Sequence, residues 1–154
     1  MVTMESPRLA QARRGRIASL RDLAHAERLA GQPVGAREHA LQALAFADAL
    51  ELNDQAAACL FLLGMISLRE GNANRAHAEL ARGLAAAFSG RAYLTAAFCC
   101  QELGSIALRD GDANAAAEYF AGAEDAFCRT PGYQVSRDNI ARVTEQRDDL
   151  CEAS

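Results

Sequence analysis

The three histidines and five cysteines are the side chains of this sequence best able to do chemistry. A cysteine beside a histidine would make an activated nucleophile, the imidazole taking the thiol proton. Cysteine and histidine together at short spacing would hold zinc. The cysteines are Cys59, Cys99, Cys100, Cys128 and Cys151, an odd number with no CxxC pair, so neither a zinc knuckle nor a disulfide framework is signalled. Reduced thiols packed as small apolar side chains are the expectation. His25, His39 and His77 are dispersed over three segments, and Cys59, Cys99 and Cys100 have no recognised ligand spacing to His77. The chain therefore reads as noncatalytic, with no metal and no other cofactor.

Arginine is the third candidate. All 16 basic residues are Arg, whose planar fork suits bidentate recognition of carboxylate or phosphate, although a genome favouring Ala, Arg and Gly would produce the same bias. The run Arg13-Arg14-Gly15-Arg16 would release counterions if it touched phosphates. It lacks interleaved aromatics and any helix-turn-helix reader, so a solvated helix start is the expectation. A net charge of -4 argues against nonspecific attachment to nucleic acid or to an anionic membrane surface. No apolar run approaches the ~18 residues of a spanning helix. Polar, Arg-rich sequence follows Pro7 where a signal peptide would have its apolar core, which makes the expected location cytoplasmic.

These side chains must be held by helices. With 154 residues and 51% hydrophobic content dominated by Ala, the chain is expected to form one all-α domain. A shift of about 40 residues lays the stretch from Ala58 over the stretch from Phe98, matching Leu63/Leu103, Gly64/Gly104, Ile66/Ile106, Arg69/Arg109, Gly71/Gly111, Asn74/Asn114 and Ala76/Ala116. A degraded first copy places Leu23, Gly31 and Ala36 on the same columns, with Ala24 in place of the glycine. Each copy reads as a helix pair. Gly71 ends the first helix because glycine adopts the left-handed conformation freely, Asn72 and Asp112 can cap the next helix, and Pro33 suits a first turn.

The spacing predicts helices at about 8–30, 33–51, 54–70, 73–87, 92–110, 113–128 and 136–151. Residues 1–7 are expected to be a disordered N-terminus and 8–154 a single domain, with repeats at about 17–51, 54–90 and 92–130. The segment at about 136–151 carries Ile140, Val143 and Leu150 on one face behind a possible cap at Ser136, as a capping helix for the last repeat would.

On these columns the chain resembles the tetratricopeptide repeat. The Leu-Gly pair appears as Leu63-Gly64 and Leu103-Gly104, the inter-helix glycine as Gly71 and Gly111, and the packing alanine as Ala76 and Ala116. The later large and small residues appear as Leu80 with Gly83 and Phe120 with Ala123. The small residues would let paired helices approach backbone to backbone, with Leu80 and Phe120 filling the space beside them. The usual first-helix aromatics are replaced by Leu60, Cys100, Ser67 and Ala107, the closing Pro is absent, and the period exceeds the common ~34 residues. The longer repeat is similar to the helical sensor regions of large bacterial ATP-dependent transcription regulators. The resemblance implies a bacterial protein and a right-handed superhelix of three helix pairs, with a concave groove lined by the first helix of each pair.

Matching columns then place Arg21, Phe61 and Gln101 in one groove row, His25, Met65 and Ser105 in another, and Arg69 and Arg109 together at one edge. Arg28 and Phe98 stand in neighbouring rows. An apolar floor of Phe61, Met65 and Phe98 ringed by Arg21, Arg28, Arg69 and Arg109 suits a protein or peptide partner that is acidic or amphipathic. The first helices as bounded above contain no Asn and the chain has no Lys, which disfavours capture of a C-terminal carboxylate by Lys, Asn and Arg. The expected role is adaptor or regulator. A sensor binding a small molecule or signalling peptide is the alternative, and self-association is a further option.

Overall fold

The computed structural model describes residues 4–132. These form six helices and, among the described residues, no strand: α1 (Pro7–Leu29), α2 (Pro33–Ala49), α3 (Asn53–Arg69), α4 (Ala73–Ser89), α5 (Tyr93–Arg109) and α6 (Ala113–Arg129). The capping helix expected over 136–151 lies outside the described residues. No described helix is long and apolar enough to cross a membrane.

From α2 onward every helix has 17 residues and every link three, so helices start at intervals of 20. One turn geometry recurs five times. In the link after α3, the Gly71 amide donates to the Leu68 carbonyl at 3.1 Å and the Asn72 amide to the Ser67 carbonyl at 2.9 Å. This double closure is the Schellman motif, and it requires a left-handed residue at the link's centre. Glycine fills that position within pairs, at Gly31, Gly71 and Gly111 (φ 77–80°). Between pairs Glu51 and Arg91 fill it at φ 54°. The side chains of Asn72 and Asp112 then accept from the amides of Arg75 (3.1 Å) and Ala115 (3.0 Å), capping α4 and α6 as their positions imply. Ser6 caps α1 by accepting from Leu9 at 3.2 Å, so helix begins within the N-terminal stretch expected to be disordered.

Each helix packs on the next in sequence. In addition, Cα atoms of α1 and α3, and of α3 and α5, approach within 8 Å, whereas no such approach links α2 with α4 or α4 with α6. The core lies between the two rows of helices and is built around Ile17, Leu63, Ile66, Leu80 and Leu103, all essentially inaccessible. Each such side chain contributes about 1.5–3 kcal/mol relative to exposure. The space at Gly64 and Gly104 is taken by side chains rather than by a facing backbone: a Cβ on Gly64 would lie 2.6 Å from Leu80 Cγ, and one on Gly104 2.8 Å from the Phe120 ring. Leu80 and Phe120 therefore sit over the glycines, a closer fit than beside them.

Candidate partner-binding groove

The odd-numbered helices together line an open recess of about 500 Å³. Arg21, Asp22, His25 and Arg28 come from α1, Ala58, Phe61, Leu62 and Met65 from α3, and Thr95 and Phe98 from α5. Sequence spacing explains each set: 21, 25 and 28, like 58, 61, 62 and 65, recur on one helical face. Six of the ten residues expected in the groove meet here: Arg21, His25, Arg28, Phe61, Met65 and Phe98. Arg69 instead lines a separate recess of about 180 Å³ with Arg28, Gly31, Pro33, Ile66 and Glu70. Gln101, Ser105 and Arg109 lie outside the larger recess, the Ser105 hydroxyl donating to the Gln101 carbonyl at 3.1 Å.

The reason is a stagger. Reduced by the 40-residue period, the lining of α1 spans columns 21–28, that of α3 columns 18–25 and that of α5 columns 15–18. The groove thus steps back by about one helical turn per pair, instead of following the straight rows of the alignment. Thr95, at the N-terminal end of α5, enters for the same reason that Gln101, Ser105 and Arg109 leave. Asp22 and Leu62 share one alignment column, next to that of Arg21 and Phe61, and this row was passed over. Asn53 opens α3 but lies outside the recess.

The floor is aromatic. Phe61 and Phe98 stand 6.0 Å apart between ring centroids, and Phe98 meets Phe127 edge-on at 5.6 Å, so the row continues from α3 through α5 to α6. Phe98 remains 39% exposed. On the α1 wall Arg21 donates to Gln55 Oε1 at 3.3 Å, and the Arg28 guanidinium lies 3.3 Å from His25 Nδ1. Neither guanidinium forms an ion pair among the described residues. Arg28 Nε is buried without an acceptor among the described residues.

The other reactive side chains are spent elsewhere. Burial pushes the Cys59 thiol up to about 11 and Cys99 up to about 12, and raises Cys100 as well, so all three stay protonated at neutral pH. His39 is bonded to Glu27 at 2.8 Å, and His77 lies in a different recess with Asp110, Asp112 and Tyr119. No group of three or more His, Cys, Asp or Glu side chains suited to a metal ion occurs among the described residues. The basic run is divided among separate partners: Arg13 pairs with Glu5 at 2.8 Å, Arg14 with Asp54 at 3.7 Å, and Arg16 covers the Phe46 ring at 4.4 Å.

A second polar site had no sequence signal. At the crossing of α3 and α4 the Ser67 hydroxyl donates to Glu79 Oε1. Arg37 reaches across from α2 to Glu79 at 3.1 Å, Ser67 at 2.7 Å and Glu70 at 3.4 Å. Ser67 and Glu79 are buried and Arg37 is nearly so. Its bonded pairs lie 12 to 42 residues apart and span three helices, which no local motif reveals.

No protein-family model matches the sequence, and no curated protein matches it.

Proposed function

We propose that the chain is a noncatalytic, tetratricopeptide-like interaction module of a bacterial cytoplasm, acting as adaptor or regulator by holding a peptide or helix of another protein in the groove between α1, α3 and α5. The observation that carries this reading is the staggered recess itself, a continuous apolar floor with guanidiniums on one wall and, among the described residues, no carboxylate paired with them. Anchors of this kind, aromatic and arginine side chains around a concavity, supply most of the energy at protein interfaces. Closer approach among the odd helices than among the even ones supports a stack curved toward the groove, as in a superhelix. Small-molecule sites enclose most of their ligand, so the open mouth favours the peptide over the sensor alternative.

Affinity purification from the source organism, with wild-type bait and with Phe61→Asp and Phe98→Asp baits of unchanged helical circular dichroism, tests the proposal. Partners retained by wild type and lost from both variants are expected. Partners retained equally by all three would move the interaction to another face.

A further inference from the structure

We infer that the occupant of this groove is an amphipathic acidic helix with two carboxylates seven residues apart, placed to meet Arg21 and Arg28 while the apolar side chains between them settle on Phe61, Met65 and Phe98. The inference rests on the reading that the groove binds a partner's peptide, and it names the chemistry of that peptide.

Charge complementarity carries it. Arg21 and Arg28 are both half-buried, and neither has a carboxylate among the described residues. Arg37, a more deeply buried arginine that also bonds across helices, is paired with both Glu70 and Glu79. An apolar or uncharged segment laid over the groove would strip water from two guanidiniums without replacing it, which is unfavourable. A segment bringing one carboxylate to each would supply charge-assisted bonds in the place of water.

Spacing selects the helix. Seven residues along α1 amount to ~10.5 Å, the same distance that separates side chains i and i+7 of a second helix, which share one face with i+3 and i+4. In an extended peptide, side chains on a common face are ~6.6 or ~13 Å apart, and neither value fits. Asp22, the single carboxylate among the described lining residues, adjoins Arg21 and repels a continuous acidic run. Two separated carboxylates flanking apolar residues fit better than a polyacidic tail.

The test uses the full chain and synthetic, end-blocked 16-residue alanine-based helices labelled for fluorescence anisotropy. The first carries leucines at its seventh and eighth positions and glutamates at its fourth and eleventh. The second and third carry glutamine or lysine in place of the glutamates, and a fourth moves one glutamate off the face. The glutamate helix is expected to bind at least ~10-fold more tightly than the others, with an advantage that shrinks at high salt. Arg21→Glu with Arg28→Glu should reverse the preference toward the lysine helix, and Arg21→Gln with Arg28→Gln should abolish it, both with unchanged circular dichroism. Equal binding of the glutamate and glutamine helices, lost in Phe98→Asp, would overturn the acidic assignment and leave the groove standing. Binding indifferent to Phe98→Asp would overturn both. Failure of the glutamate helix to bind at about 1 mM would overturn the assignment, while the purification experiment above tests the groove independently.

Discussion

The helix crossings of the second and third pairs occupy the same columns and are built from different chemistry. Where α3 meets α4, Ser67 and Glu79 are hydrogen-bonded and Arg37 of the preceding pair closes the site. Where α5 meets α6, the same columns hold Ala107 and Tyr119, and the column of Arg37 is occupied by His77. The first pair offers a third solution, with Glu27 bonded to His39. One backbone arrangement accepts an ion-pair network, an uncharged alanine and tyrosine beside a small recess, and an imidazole–carboxylate bond, so the repeat geometry is carried by the small residues and turns rather than by any particular crossing pair. The buried network adds a bond between the first and second pairs that has no counterpart at the equivalent columns of the second and third pairs among the described residues.

The largest effect should come from breaking that network by halves. Glu79→Ala leaves Arg37 largely buried with the Ser67 hydroxyl and, as its remaining carboxylate, only the more distant Glu70, and removal of one partner of a buried pair costs about 3–5 kcal/mol. Converting the whole site to its counterpart, Arg37→His with Ser67→Ala and Glu79→Tyr, should cost much less than Glu79→Ala alone. Urea unfolding of the two variants measures this. A triple variant as unstable as the single one would show that the crossings are not interchangeable.

The glycines beneath the crossings should come next. Leu80 is fully buried and cannot move away from a Cβ at position 64, whereas Phe120 is 38% exposed and its ring can swing outward. Gly64→Ala should therefore cost about 1–3 kcal/mol and Gly104→Ala fall at or below the lower end of that range. Equal losses in thermal denaturation would mean that the third pair is as tightly packed as the second.

Smaller changes are expected at the links between pairs. Arg91 holds a left-handed conformation that carries a steric penalty of ~1–2 kcal/mol for a side-chain-bearing residue, offset in part by the greater unfolded-state freedom of glycine. Arg91→Gly should thus stabilise by ~0.5–1 kcal/mol, while Gly71→Ala, at the equivalent place within a pair, should destabilise. The smallest effect concerns the first crossing. The hydrogen bond that His39 donates to Glu27, aided by the charge of that carboxylate, raises the His39 pKa against the opposing effect of burial. A raised folded value means stabilisation fully present below the unfolded value of ~6.5 and lost as pH rises through the folded one. His39→Gln should remove that decline from the stability profile as pH rises above the unfolded value of ~6.5. A mutant profile parallel to wild type would assign the decline to other groups.

Much of the fold was legible because its punctuation is chemical. Gly31-Gln32-Pro33, Gly71-Asn72 and Gly111-Asp112 mark the links within pairs, and the helix ends expected there lie within one residue of those found. The links between pairs have Glu51 and Arg91 where glycine would be the signal. There the second helix was expected to run to 51 and ends at Ala49, and the fourth was expected to end at 87 and runs to Ser89. The groove was half legible. Face periodicity identifies which side chains share a helix surface, but the stagger between successive helices depends on how they tilt, which no spacing encodes. Gln101, Ser105 and Arg109 were expected in the groove from straight rows, and Thr95 was passed over for the same reason. Ser67 attracted notice only as a departure from an aromatic column, since the side chains that give it a role are distant in sequence.

The most direct test of the staggered groove is backbone and methyl NMR of the full chain during titration with the glutamate helix. Perturbations should follow the oblique path, at Arg21 and Arg28 on α1, Phe61 and Met65 on α3, and Thr95 and Phe98 on α5, while Ser105 and Arg109 stay unmoved. Perturbations centred on Gln101, Ser105 and Arg109, or on the outer surfaces of α2, α4 and α6, would contradict it.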